Sequence, residues 1–356
     1  MIFNNSFFYP FIVIASFISS TANGNSYWYQ YGESPVLMEY SNNGATQTLN
    51  FLYYKKGMLV AEIDGGFGEV SMPVGVQMAR QLKVNIPGIA KARSLVNQGN
   101  QVGALKILRK SVYPLIKFSR LPEEFTQLHS ANILLLESLI QAEKLAEAKY
   151  LLAKIPLEST SLQYSEKAIE LLNKYTLIRD WDSVIEMTRS IPHKDDYAVN
   201  IKVIMNSADN LRSAGKFNAV IPIYQSIQED IDPSLQKNLQ IWLAYSLVLA
   251  DRQKEATSLI DSIEKPNIED KIFSLYQLLI GARAHRDKDY SKALDLLTRG
   301  FVRAQTSYSW VPEKLFLIGD CYLQIGDSIA AKNVWKELTI LYPNSPWVDQ
   351  VPTTNI

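Results

Sequence analysis

The stretch "LFLIGDCYLQIGDSIAAKNVWKELTILYPNSP", residues 315–346, decides how the rest of the chain is read. Gly319 is followed three places on by Tyr322 and then by the pair Gly326-Asp327. Ala331 comes five residues after that second glycine, Trp335 four later, and Pro343 ends the segment. Apolar residues recur three and four apart, which predicts a pair of helices broken by a tight turn. Ala331 then sits where the second helix presses against the first.

Residues in similar surroundings upstream are Ala104, Ala148, Val184, Val220, Ala256 and Ala293. Successive spacings, ending at Ala331, are 44, 36, 36, 36, 37 and 38 residues, and a nearly fixed period of this length marks stacked units rather than one globular core. Other positions repeat in step. Five before the small residue is a turn position held by Gly99, Gly215 and Gly326, where a positive φ is expected. Three before it stands a large packing residue, Leu145, Trp181, Phe217 or Tyr290. Twelve before it is a second small residue, Ala92, Ala208, Ala244, Gly281 or Gly319. Four after it comes Leu108, Leu152, Tyr224, Ile260, Leu297 or Trp335. The first spacing is stretched by about eight residues around Pro114 to Pro122.

The pattern resembles the tetratricopeptide repeat over residues 86–346. The last copy, closing on "YPNSP", is similar to the repeats of exported bacterial envelope proteins such as the Tol-Pal-associated coordinator and outer-membrane assembly proteins. The resemblance implies a mainly α fold, a right-handed solenoid of about seven helical hairpins over residues 76–346, with a concave surface suited to proteins or peptides. In that register Arg93, Asp209 and Tyr245 fall on the groove-facing edge, with Arg212 and Arg286 beside them.

Composition narrows the function further. Thirty-six basic and thirty-six acidic side chains give no general attraction to nucleic acid, so any electrostatic role is local. One local asymmetry stands out. Between Val70 and Pro122 there is no acidic residue, while Arg80, Lys83, Lys91, Arg93, Lys106, Arg109, Lys110, Lys117 and Arg120 supply nine positive charges. Lys106, Arg109 and Lys110 are three and four apart, which predicts one outward stripe able to attract an anionic partner surface.

The segment before the repeats has a different period. Residues 35–75 alternate or run apolar over four to eight residues between turn signals at Asn42-Asn43-Gly44, Lys55-Lys56-Gly57 and Asp64-Gly65-Gly66, which predicts four strands in a small, SH3-like β module. Its "GGFGEV" lacks every other protein-kinase motif and reads as a turn. Residues 1–22, with an uncharged apolar run from Phe7 to Ile18 and small residues at Ser20 and Ala22, read as a cleaved signal peptide followed by a linker over 23–34. The mature protein is therefore expected in the periplasm or secreted, without stable membrane insertion. Residues 347–356 form a tail.

No catalytic set emerges. His129, His193 and His285 lie in different repeats and read as surface residues, and no motif joins a nucleophile to a base or a metal to its ligands. Asp195-Asp196 and Glu123-Glu124 read as helix starts, where negative charge suits the dipole. Cys321, the single cysteine, permits no intrachain disulfide and reads as a packing thiol. The expectation is a non-catalytic scaffold of the cell envelope, with no cofactor or metal, binding envelope proteins through Arg93, Lys106, Arg109, Lys110, Asp209, Arg212, Tyr245 and Arg286. The alternative is a cell-wall binder, or a regulator of wall enzymes, acting through the β module.

Overall fold

The computed structural model describes residues 36–352 except 43–44, 63–67, 85, 123 and 160. The expected signal peptide and linker, the Asn43-Gly44 and Gly65-Gly66 turns and Glu123 lie outside the described residues. What is described is mainly helical, with a small antiparallel sheet ahead of the helices, and divides into two compact units between Lys167 and Ala168.

The sheet is a meander of β1 (Val36–Asn42), β2 (Ala45–Lys55), β3 (Met58–Glu62) and β4 (Glu69–Pro73). Lys56 and Gly57 turn the chain between β2 and β3 with φ of 51° and 77°, the left-handed pair that a two-residue hairpin needs to match strand twist. After the short helix α1 (Val76–Gln81) the chain returns as β5 (Leu82–Lys83), antiparallel to β1, giving the order β4-β3-β2-β1-β5. This fifth strand is two residues long, too short to show an alternation in sequence. Val36, Met38, Phe51, Leu59 and Ala61 supply buried side chains of the sheet. β2 packs on a 3-10 segment, Tyr113–Phe118, whose Tyr113, Pro114, Leu115, Ile116 and Phe118 are buried. The extra residues that stretch the first repeat spacing thus form the apolar seat of the sheet.

Among the described residues, the remaining α-helices come in seven consecutive pairs. These are α2 (Ile89–Asn97) with α3 (Gln101–Val112), α4 (Thr126–Gln141) with α5 (Leu145–Leu152), and α6 (Leu162–Leu177) with α7 (Trp181–Ser190). Then follow α8 (Ile201–Ser213) with α9 (Phe217–Ser226) and α10 (Pro233–Leu249) with α11 (Gln253–Ser262). The last are α12 (Phe273–Arg286) with α13 (Tyr290–Val302), and α14 (Val311–Gln324) with α15 (Ser328–Leu341).

One turn joins every pair. Its left-handed residue is Gly99, Gly215 or Gly326 in three cases, as the spacing predicted, and Glu143, Arg179, Asp251 or Lys288 in the other four. In each, the N–H of that residue reaches the carbonyl three back, and the next N–H the carbonyl five back from its own, as in Gly326 to Leu323 and Asp327 to Tyr322. This is a Schellman closure, which satisfies the orphan carbonyls of the first helix. The residue after the left-handed one then caps the second helix, its carbonyl accepting from the small residue four on, at 2.9–3.2 Å in all seven. Asn100, Asp180, Asp289 and Asp327 add a side-chain cap.

Ala104, Ala148, Val184, Val220, Ala256, Ala293 and Ala331 are all fully buried. In the last two pairs the helices cross so closely that a Cβ on Gly281 would lie 2.7 Å from Leu297 Cγ, and one on Gly319 would lie 2.4 Å from Trp335 Nε1. These partners are the residues twelve before and four after the small one. The periodicity therefore marks real side-chain contacts.

Candidate functional site

In the second unit the residues expected along an inner groove do converge, but into a closed core. Asp209 and Arg212 share the last turns of α8, Trp242 and Tyr245 one face of α10, and Glu313 opens α14. Spacings of three put each pair on one side of its helix. Arg212 forms an ion pair with Glu313, lies 3.4 Å from Asp209, and has its guanidinium 3.6 Å from the centre of the Trp242 ring. Tyr245 Oη donates to Glu313 at 2.6 Å. Trp310 meets Trp242 edge-on, and Tyr308 stacks on Trp310 with ring centres 4.5 Å apart.

Arg212 is 1 % exposed, Glu313 and Tyr245 not at all. Burial works against the Arg212 charge, but Glu313 and its neighbours outweigh it, so the guanidinium stays protonated. Burial pushes the Glu313 carboxyl up, and Arg212 and the Tyr245 hydroxyl pull against that shift. Chemically, the ensemble is a neutralised pair sealed by aromatic rings. It corrects the expectation that Arg212 and Tyr245 stand open along a groove, because the facing helix α14 fills that space with Glu313. The partner lies 101 residues away and has no motif to announce it.

Lys314, beside Glu313, is directed elsewhere. Its Nζ donates to the Ser274 carbonyl at 2.8 Å and lies 2.7 Å from Ser274 Oγ, in space left open by the missing side chain of Gly300. Burial lowers its pKa to about 7. Arg286 is half-exposed and ties the turn after α10, donating to the Leu249 carbonyl and pairing with Asp251 at 3.1 Å.

The histidines differ from expectation. His129 is buried, its Nδ1 3.0 Å from Tyr164 Oη and its Nε2 2.9 Å from the Leu121 carbonyl, so it serves as an internal brace rather than a surface residue. His285 Nε2 lies 2.5 Å from Asp320, and that hydrogen bond holds the Asp320 carboxyl below its usual range. Cys321 is buried, and desolvation pushes its thiol up to about 12, so it is a protonated packing group at neutral pH. Asp195 and Asp196 begin a 3-10 turn, Asp195–Asn200, that leads into α8. No three His, Cys, Asp or Glu side chains converge as a metal site among the described residues.

The first unit offers an open feature. A cleft of about 530 Å³ lies between the edge of the sheet, α2 and α4. Val84, Ile86 and Ile89 give it apolar walls, while Lys83, Arg93 and Glu39 bring charge to it. Thr126, Gln127 and Ser130 of α4 line the remaining side with hydrogen-bonding groups. Glu39 and Lys83 face each other in the β1–β5 register, so strand pairing places both there.

Of the predicted stripe, Lys106 and Lys110 are exposed, but Arg109 is not part of an open row. It makes a bidentate pair with Glu147 at 2.9 and 2.6 Å, and Tyr113 shares the same carboxylate. The other eight cations between Arg80 and Arg120 have no ion-pair partner among the described residues. Arg93 was legible as a candidate from its register. Lys83 was not, because nothing in the sequence shows that the chain returns after α1 to the open side of β1.

No protein-family model matches the chain, and no curated protein matches it in sequence.

Proposed function

We propose that this protein is a non-catalytic interaction scaffold, a tetratricopeptide-like array of helical hairpins that presents a partner-binding face next to its amino-terminal sheet. The observation that carries the reading is the recurrence of one Schellman turn and one fully buried small residue in seven consecutive helix pairs. Each such unit leaves an apolar face that a neighbour must cover, the logic of a solenoid whose function is surface rather than chemistry. The meander whose last strand returns beside the first after a helical turn supports an SH3-like reading of the sheet. The apolar run before Ala22 supports export, and with it an envelope partner.

Cross-linking of the full-length protein in envelope preparations of its host, with mass spectrometry of what is captured, tests this. Recovery of defined partner proteins is expected. Recovery of wall fragments alone would move the reading to a wall-polymer binder acting through the sheet, a reading the unpaired cations also suit.

A further inference from the structure

The cleft of the first unit combines three features that seldom coincide by packing alone. It is large enough for a ligand, since binding pockets run from roughly 300 to 1,000 Å³ and this one is about 530 Å³. Its apolar wall is the half-buried Ile89 above the nearly buried Val84 and Ile86, and it offers an apolar group a contact. Its cations, Lys83 and Arg93, are exposed and make no ion pair among the described residues, so both are free for an anion from outside.

The charge of the sequence around these residues has the same sign. Exposed Arg80, Lys91, Lys106 and Lys110 belong to the same acid-free stretch and also make no ion pair among the described residues. A positive field of this kind steers an anionic partner and is damped by salt. Among the described residues Glu39 is the one acid on the lining. With Thr126, Gln127 and Ser130 on the opposite side, the site can also take up main-chain amides and carbonyls. A carboxylate, an apolar side chain and peptide groups within reach of one another describe a short acidic peptide.

We propose that this cleft is a docking site for a short segment of a partner protein in which acidic and apolar residues alternate. A carboxylate of that segment pairs with Lys83 and Arg93, and an apolar side chain packs on Ile89 at the rim of Val84 and Ile86. The inference rests on the scaffold reading only in that the occupant is a protein segment. The inner core around Arg212 takes no part in it.

The test is fluorescence anisotropy with the full-length protein and a labelled, end-blocked hexapeptide of alternating Leu and Glu, its Leu/Lys counterpart serving as control. The acidic peptide should bind at 50 mM salt and weaken several-fold at 300 mM, about as expected for a screened contact, while the basic one should not bind. Lys83→Glu with Arg93→Glu should reduce affinity at least about tenfold, or roughly 1.4 kcal/mol. Ser130→Trp, which fills the cleft without altering charge, should do the same. Lys106→Glu with Lys110→Glu, outside the lining, should have less than about a threefold effect. Absence of binding, or binding indifferent to both the charge reversal and Ser130→Trp, would overturn the proposal. Cross-linked partners captured equally well by the Lys83/Arg93 variant would remove the cleft and leave the scaffold intact. Peptide binding that obeys the variants, with no protein captured in the envelope, would keep the cleft and remove the scaffold.

Discussion

The two units differ in how their arginines are met. In the second, Arg179, Arg212, Arg252, Arg286, Arg299 and Arg303 each meet a carboxylate, and the most buried of them, Arg212, is held by Glu313 and capped by Trp242. In the first, the cations from Arg80 to Arg120 make no ion pair among the described residues, apart from Arg109. Helix pairs with the same turn and the same crossing residue therefore serve two ends. Where acids are interleaved with the bases, Arg212 closes on Glu313 in the interior and those other arginines find carboxylates at the surface. Where the sequence withholds acids for some fifty residues, from Val70 to Pro122, the face stays open and charged. The position of Arg212 on an inner register thus says nothing of its availability, which depends on what another helix brings.

The contrast is sharpest if one partner of the closed core is removed. Glu313→Ala should destabilise the protein by about 3–5 kcal/mol, because it strands a buried guanidinium. Arg212→Met combined with Glu313→Leu should recover most of that loss, which urea unfolding would measure. By comparison, Lys83→Glu with Arg93→Glu should change stability by less than about 0.5 kcal/mol. Similar costs for the two experiments would break the distinction between a closed and an open face.

Lys314 gives a pH-dependent version of the same test. Its folded pKa, about 7, lies below the ordinary lysine value of 10.5, so between those limits the unfolded chain binds the proton that the folded one has released. Stability contributed by this site should rise with pH from about 7 to 10.5 and be lowest and constant below 7. Lys314→Met should therefore stabilise the protein near pH 6 by on the order of 2–4 kcal/mol, an advantage that shrinks as pH climbs. A stability difference independent of pH would show that the ammonium is not desolvated as described.

Smaller effects probe what the units share. Ala293→Leu in the second unit and Ala104→Leu in the first should each cost about 1–3 kcal/mol by overpacking the helix crossing. A variant that melts like the parent would mean that its pair does not share the common crossing. Lys288→Gly should stabilise by about 0.5–1 kcal/mol, since it relieves a side chain held at φ 61°. Gly326→Ala should lose about 1 kcal/mol through the same conformation, its φ being 93° with no atom within 4 Å of the added Cβ. Equal and opposite shifts in melting temperature would establish that one turn geometry runs through glycine and non-glycine copies.

These residues also show how far the sequence could be read. The period was legible because Ala293, Ala331 and their equivalents repeat a steric demand at a fixed distance, and Gly281 and Gly319 repeat another. The turn was legible only at Gly99, Gly215 and Gly326. Glu143, Arg179, Asp251 and Lys288 adopt the same conformation against their own preference, because the Schellman hydrogen bonds and the packed helices on either side fix it. Charge balance was legible as the acid-free stretch, and Arg93 with it. The pairing of Arg109 with Glu147 over 38 residues and of Arg212 with Glu313 over 101 was not, since ion pairs between helices depend on tertiary placement that no local pattern records. The cleft was invisible for the same reason, its walls coming from β1, β5, α2 and α4.

Hydrogen–deuterium exchange of the full-length protein, with and without the alternating Leu/Glu hexapeptide, tests the division of labour most directly. The account predicts ligand-dependent protection in segments covering Leu82–Arg93 and Thr126–Ser130, with Ser207–Ser213 and Ile241–Ser246 slow to exchange from the start and unaltered by ligand. Protection appearing around Arg212 and Tyr245, with none in the cleft segments, would contradict it.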